Sequence, residues 1–232
     1  MPPTVSAIVP LFNEEAYVAR TVQALSGVLG GLTAAFEIVL VDDGSSDDTR
    51  RLVAAAVQAD DRVQAVHHDR NRGLGAALRS GFARATGELL LYTDADLPFD
   101  LHEVPRAVRL LELQQADLLC GYRFDRTLEG LRRTAYSRGY TLLIRTLFGL
   151  PVRDVNFAFK LLRRELLEDL PLASEGSFID AELLIRAHRR GAHIIQIGVD
   201  YFPRHAGRST LASPRVVRGI LREMRRLRRE LR

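Results

Sequence analysis

The chain is poor in the residues that staple a fold or anchor it in a bilayer. Its 232 residues include one cysteine, Cys120, so no internal disulfide can form. No Cys/His cluster suggests structural zinc either, and both facts fit a reducing cytosol. No run of about 18 apolar residues occurs, which excludes a transmembrane helix within this sequence. The first residues show no basic stretch leading into an apolar run, so no secretory leader is expected there. Lysine is nearly missing as well: Lys160 is the only one among 33 Lys and Arg. A phosphate gripped by a cationic side chain here would therefore be gripped by Arg, with its planar fork of donors.

The body also lacks basic character. The net charge is +4, but residues 214–232 hold eight Arg against two Glu, a local +6 that leaves the rest at −2. A nucleic-acid-binding domain would usually carry its own basic face, so no nucleic-acid partner is expected. In the tail, Val217, Ile220, Met224, Leu227 and Leu231 recur at steps of three and four, one apolar stripe with Arg around it. Such a helix can lie on an anionic membrane surface, pack on a membrane partner, or dock on the body. The expected division is a domain over 1–212 and a basic amphipathic helix over 213–232.

The first hundred residues alternate apolar strands with helices. "SAIVPLF", "FEIVLVDD", "VQAVHH" and "ELLLYTDAD" read as strands; "NEEAYVARTVQALSGVL", "TRRLVAAAVQA" and "GAALRSGFARA" read as helices, the first with acids in its opening turn. Strands apolar almost throughout indicate a mostly parallel sheet covered on both faces, an α/β fold. Later come a strand "ADLLCGYR", an amphipathic helix "RRTAYSRGYTLLIRTLFGL" and a strand "AHIIQIGVDYF". Ligands in such sheets bind outside the carboxyl ends of the strands, and three acidic clusters fall there: Pro10–Glu15, Asp42–Asp48 and Asp94–Asp96.

Asp94 and Asp96 are two apart, so on an extended segment both side chains face the same way. That suits one hard divalent cation that also meets phosphate oxygens. "VDDGSSDDT" reads as a turn and an N-capped helix, which leaves Asp42 over as an acceptor for a nucleobase or ribose. Gly73 and Gly75 in "NRGLGAALRSG" read as glycines for a tight turn and close helix packing, since the phosphate-loop pattern is lacking.

Five short motifs in order, "PLFNE", "VDDGSSDDT", "DADL", "GYRF" and "RHAGRS", resemble the family 2 glycosyltransferases of GT-A fold. The likeness is nearest to the dolichol-phosphate mannose synthase and polyprenyl-phosphate glycosyltransferase type, over roughly residues 5 to 210. It implies that Pro10, Phe12, Glu14, Leu40 and Asp42 hold the base and ribose of a nucleotide-sugar. Asp94, Ala95 and Asp96 would hold Mn²⁺ or Mg²⁺ and the diphosphate, and Arg123 and Arg204 would meet phosphates. Asp154 corresponds to the family's acidic residue in a D-x-x-x-x-F segment and Glu182 to its glutamate in a helix near the acceptor, although Glu182 also reads as a surface acid or as a partner for Arg186 one turn on. Two departures touch the metal and diphosphate: Pro98 stands where the family often has Gln, and Thr210 where it often has Lys.

The implied reaction is inverting transfer from a GDP-mannose or UDP-glucose type donor to a polyprenyl phosphate, by an enzyme peripheral on the cytoplasmic face of the membrane. A hydroxyl acceptor would need a general base, for which Asp180, Glu182 and Asp154 are candidates; a lipid phosphate needs only orientation. The alternatives are a hydroxyl-glycosylating member of the family and a non-catalytic nucleotide-sugar-binding module.

Overall fold

The computed structural model describes residues 3–33, 35–125, 131–202 and 214–231. Seven strands form one sheet in the order β3-β2-β1-β4-β6-β5-β7. They are β1 (Val5–Leu11), β2 (Phe36–Asp42), β3 (Val63–His67), β4 (Leu89–Thr93), β5 (Leu118–Arg123), β6 (Phe159–Arg163) and β7 (Ile194–Val199). β1 pairs in parallel with β2 and β4, β2 with β3, and β5 with β7. Only β6 runs the other way, antiparallel to both β4 and β5.

Alternation along each strand sends neighbouring side chains to opposite faces, and each face has its own core. Val9, Leu11, Ile38, Leu40, Leu91 and Phe159 pack under α1 (Val18–Leu32), α2 (Thr49–Ala59) and α4 (Glu103–Leu113). Ile8, Val39, Val41, Leu90, Tyr92 and Cys120 pack under α3 (Leu74–Arg84), α5 (Leu131–Phe148), α7 (Ile179–Arg189) and α8 (Pro214–Glu230). A short helix, α6 (Arg164–Glu168), follows β6 directly. The expected covered, mostly parallel sheet is the one observed.

The chain winds from β1 outward to β3, then returns to lay β4 on β1's other side. That reversal opens a crevice at the carboxyl ends of β1 and β4, the usual ligand position in open α/β sheets. Because β6 is antiparallel, its first residue Phe159 lies beside Thr93 at this same edge. The ends of β5 and β7 arrive there too, with Arg123 in register with Val199.

Two local expectations change. The first helix begins at Val18, not in the "NEEA" segment, and has no acid in its first turn. Glu14 and Glu15 instead lie in a connection that laces into the loop after β2. The tail helix is one of the elements that close the second core, burying Ile220, Met224 and Leu227 there. Of the three placements open to its apolar stripe, docking on the body is the one observed.

Candidate active site

The loops after β1 and β2 hold each other. Asn13, at φ 56, gives its backbone N–H to Ser45 Oγ at 3.0 Å, and its side-chain oxygen accepts the Ser46 N–H at 2.8 Å. Glu14 N–H donates to Thr49 Oγ1 at 2.8 Å, and Glu15 Oε2 accepts the Asp48 N–H at 2.9 Å. Asp47 Oδ1 accepts the Thr49 N–H at 3.0 Å. Glu15 and Asp47 thus satisfy open N–H groups at the start of α2, the task the sequence suggested for a cap within the turn alone. Phe12 stands exposed at the mouth of this clasp, with Pro10 half-buried at the end of β1.

Asp42 is fully buried at the end of β2. Its Oδ1 accepts the Ser45 N–H at 3.0 Å, while Oδ2 lies 3.2 Å from His67 Nδ1 and 3.5 Å from Arg50 Nε. Burial raises its pKa, but the hydrogen bonds from Ser45 and His67 outweigh that and hold the carboxyl below its ordinary range. Leu40, expected beside a base, has its side chain wholly in the first core.

Asp43 does what the sequence had left unassigned. It is buried and accepts the N–H groups of Arg72 and Gly73, at 2.9 and 2.8 Å, and faces His68 Nδ1 at 2.6 Å. This pins the turn into α3, where Gly73 takes φ +94 and a Cβ on Gly75 would strike the backbone of Ser174 and Glu175. Tight turn and close packing are what these glycines provide.

The D-x-D segment is a turn rather than an extended end. β4 stops at Thr93, Leu97 N–H closes back on the Asp94 carbonyl at 3.2 Å, and Leu97 adopts φ 49. The strand-alternation argument for Asp94 and Asp96 therefore does not apply, and a turn brings the two acids around instead. Ala95 is buried in the first core, its carbonyl accepting the Thr21 hydroxyl from α1. Pro98 is buried too, and its carbonyl accepts the Phe202 N–H at 2.9 Å, while Phe99 stacks on Phe159 with ring centroids 4.0 Å apart. Where the family often has Gln, Pro98 fastens the turn to the segment after β7.

Below the turn lies fully buried Tyr92, whose hydroxyl is 3.3 Å from Asp94 Oδ1. Burial first, then the charges of Asp180, Asp94 and Asp96, hold its phenol well above the ordinary range, so it stays a neutral donor. Asp96 Oδ1 is shielded from solvent and accepts no hydrogen bond among the described residues, while the residue stays engaged through the site's electrostatics. No group of three or more His, Cys, Asp or Glu suited to a metal occurs among the described residues. Two carboxylates, with no third such ligand among the described residues, fit a hard divalent ion that completes its shell with phosphate oxygens and water.

The other acids expected at the site are tied to cations. Arg123 grips Asp154 with two bonds, Nε to Oδ2 at 2.7 Å and Nη2 to Oδ1 at 2.9 Å, and reaches Ser137 Oγ at 3.1 Å. Its guanidinium lies 5.5 Å from the ring centroids of both Phe157 and Tyr201. Two residues expected to face substrate are thus brought together with each other. Asp180 takes Lys160 Nζ at 2.5 Å, and both are buried. Glu182, 2% exposed, accepts the Ala173 and Ser174 N–H groups at 3.0 and 2.7 Å on Oε2 and Arg186 Nε at 2.8 Å on Oε1. The pairing with Arg186 one turn on is present, but inside the protein. Cys120 is buried and its thiol is pushed up to about 12 by burial, which removes it as a nucleophile. Arg204 and Thr210 lie outside the described residues.

A family model described as "Glycosyl transferase family 2" matches residues 6–171. Glycosyltransferase AglD of Haloferax volcanii is 31% identical over 207 residues, covering 86% of this chain and 33% of that protein. An undecaprenyl-phosphate 4-deoxy-4-formamido-L-arabinose transferase of Yersinia pestis (strain Pestoides F) is 31% identical over 214 residues, covering 92% of this chain and 64% of that protein. The chain thus spans between a third and two thirds of the length of these curated relatives. Glucosyl-3-phosphoglycerate synthase from Mycobacterium tuberculosis, crystallised with Mn²⁺, uridine diphosphate and phosphoglyceric acid, superposes with a TM-score of 0.75 at 24% identity. That match covers 96% of this chain and 77% of the other, and it establishes the GT-A fold.

Proposed function

The chain belongs to glycosyl transferase family 2, and from that premise we propose that it moves a sugar, with inversion, from a nucleotide-diphosphate donor to a polyprenyl phosphate at a membrane surface. The interlaced loops after β1 and β2 offer the base and ribose a preformed seat, with Phe12 at its mouth and Asp42 within its wall. Asp94 and Asp96 hold Mn²⁺ or Mg²⁺ together with the donor diphosphate. A bound divalent ion supplies charge neutralisation for the departing diphosphate. The chain itself contributes the orientation of both carboxylates and the apolar packing of Phe99 behind them.

The observation that carries the acceptor assignment is the state of the candidate bases. Asp154, Asp180 and Glu182 each sit against a buried cation, at 2.7, 2.5 and 2.8 Å. Each of these carboxylates is buried and bonded to that cation, not presented to an acceptor, and a general base must lie within hydrogen-bond reach of the proton it takes. A lipid phosphate needs no base, because it is already anionic at neutral pH. The donor is of GDP-mannose or UDP-glucose type.

Membrane attachment rests on α8. No helix among the described residues is long and apolar enough to cross a membrane. Both acids of α8 are engaged: Glu223 Oε1 accepts the Glu175 and Gly176 N–H groups at 2.8 and 3.2 Å, and exposed Glu230 takes Arg186 Nη2 at 2.7 Å and Arg226 Nε at 2.9 Å. The outward face keeps Arg218, Arg222, Arg225 and Arg229 exposed, with Leu221 among them. Such a face suits anionic headgroups by charge rather than by insertion, on the cytoplasmic side.

A melting screen with UDP and GDP, each with and without Mn²⁺, tests the donor site. A nucleotide at 100 times its Kd stabilises by about 2.7 kcal/mol, or roughly 5–11 °C for a chain of this size. Asp94→Asn should abolish the cation-dependent part. A melting temperature that no nucleotide–cation pair moves would end the reading. Turnover with a polyprenyl phosphate should then give an acid-labile product, and an acid-stable glycoside would instead assign a hydroxyl acceptor.

A further inference from the structure

Tyr92 and Lys160 face each other across β4 and β6, in register, on the inner side of the sheet that carries the D-x-D turn. Lys160 is 1% exposed, and its ammonium is fixed from two sides, by Asp180 Oδ1 at 2.5 Å and by the Phe157 carbonyl at 2.9 Å. The same ammonium lies 5.4 Å from the centroid of the Tyr92 ring, a cation–π distance. Asp180 belongs to the first turn of α7, so the ion pair also ties that helix to the central strands. Burying an ion pair carries a desolvation cost that an apolar pair of similar volume avoids. The chain uses Arg at every other cationic position, yet places its single Lys here, where a compact ammonium fits beneath a ring.

What the ring carries is a hydroxyl 3.3 Å from Asp94 Oδ1. We propose that Tyr92, seated on Lys160, is a positioning residue for Asp94: its phenol fixes how the carboxylate is presented to the cation. The inference rests on the metal-and-diphosphate reading of the D-x-D turn. A hydroxyl–carboxylate bond of that length is longer than the optimum. Hydrogen bonds to metal-binding carboxylates commonly affect metal affinity by about 10- to 100-fold; a long bond belongs at or below the low end.

The test titrates Mn²⁺ by calorimetry at saturating UDP, or GDP if the melting screen selects it, with wild type and Tyr92→Phe. The expected result is an apparent Mn²⁺ Kd raised roughly 3- to 10-fold, with nucleotide affinity at saturating Mn²⁺ within twofold of wild type. A purely structural tyrosine would leave the Mn²⁺ titration unmoved or weaken both equally, and either result overturns the proposal. The double variant Lys160→Met/Asp180→Asn removes the seat as a neutral pair and should weaken Mn²⁺ in the same direction; wild-type Mn²⁺ affinity in that variant would remove Lys160 from the proposal. If wild type itself binds no Mn²⁺–nucleotide, the donor site fails and this inference falls with it. If wild type binds and Tyr92→Phe binds equally, only the inference falls.

Discussion

Replacing Lys160 with Met should expose the desolvation cost of a buried ion pair. The side chain is swapped for an apolar one of similar length, so the space is refilled and the charge effect dominates. What is left behind is Asp180, 5% exposed and without the ammonium that now sits 2.5 Å away. Breaking a buried pair from one side costs about 3–5 kcal/mol, which for a domain of this size lowers the melting temperature by roughly 6–20 °C. Burial already raises the Asp180 carboxyl above its ordinary range, with Lys160 pulling the other way. Without Lys160 it rises further. An acid whose folded pKa exceeds its unfolded pKa holds more protons when folded throughout the interval between the two, so stability falls as pH climbs through that interval. The penalty should therefore be smallest near about pH 5 and largest near about pH 8. Urea unfolding followed by circular dichroism across that span measures both its size and its slope. Lys160→Met/Asp180→Asn should recover most of the loss and flatten the slope. A single-variant penalty below about 1 kcal/mol at the high end, or one that does not change with pH, would refute the buried-pair account.

Glu182→Gln tests clasp against base: losing charge-assisted bonds to Arg186 and to two backbone N–H groups should cost about 1.5–3 kcal/mol in urea unfolding. A loss of kcat of about 10²-fold or more at unchanged stability would instead make Glu182 a general base. Gly75→Ala places a methyl against the Ser174 and Glu175 backbone, which cannot swing aside as a side chain would. It should destabilise by about 1–3 kcal/mol or more in thermal melts. Reversing the outward charge of α8 with Arg218→Glu, Arg222→Glu and Arg225→Glu should abolish sedimentation with phosphatidylserine vesicles while leaving nucleotide-induced melting shifts intact; unchanged sedimentation would remove α8 as the membrane face. Met224→Ala, by contrast, cuts into the second core and should cost about 2–5 kcal/mol in the same melts.

The apolar runs of β1, β2 and β4 carried enough pattern to indicate a covered parallel sheet, because strands buried on both faces need apolar residues at every position. From that alone the acidic clusters could be placed at one edge. The D-x-D pair and the family motifs were readable for the same reason: their chemistry is compressed into a few adjacent residues. Apart from Glu182 and Arg186, one turn apart, no local pattern reveals which acid meets which cation. Asp154 with Arg123, Asp180 with Lys160 and Glu182 with Arg186 look alike in sequence as candidate catalytic acids, and only the last pair is near neighbours along the chain. The other two join distant segments: Arg123 at the end of β5 meets Asp154 in the connection leading to β6, and Lys160 on β6 meets Asp180 on α7. The same holds for Glu15, which reads as a helix-opening acid until the neighbouring loop supplies a different N-terminus for it to satisfy. Composition and motif determined the fold class, the edge where chemistry occurs and the carboxylates offered to a cation. Tertiary structure decided which distant charges pair, and that the Glu182–Arg186 pair is buried, since burial and long-range partners set a carboxylate's role and neither is encoded within a few residues of it.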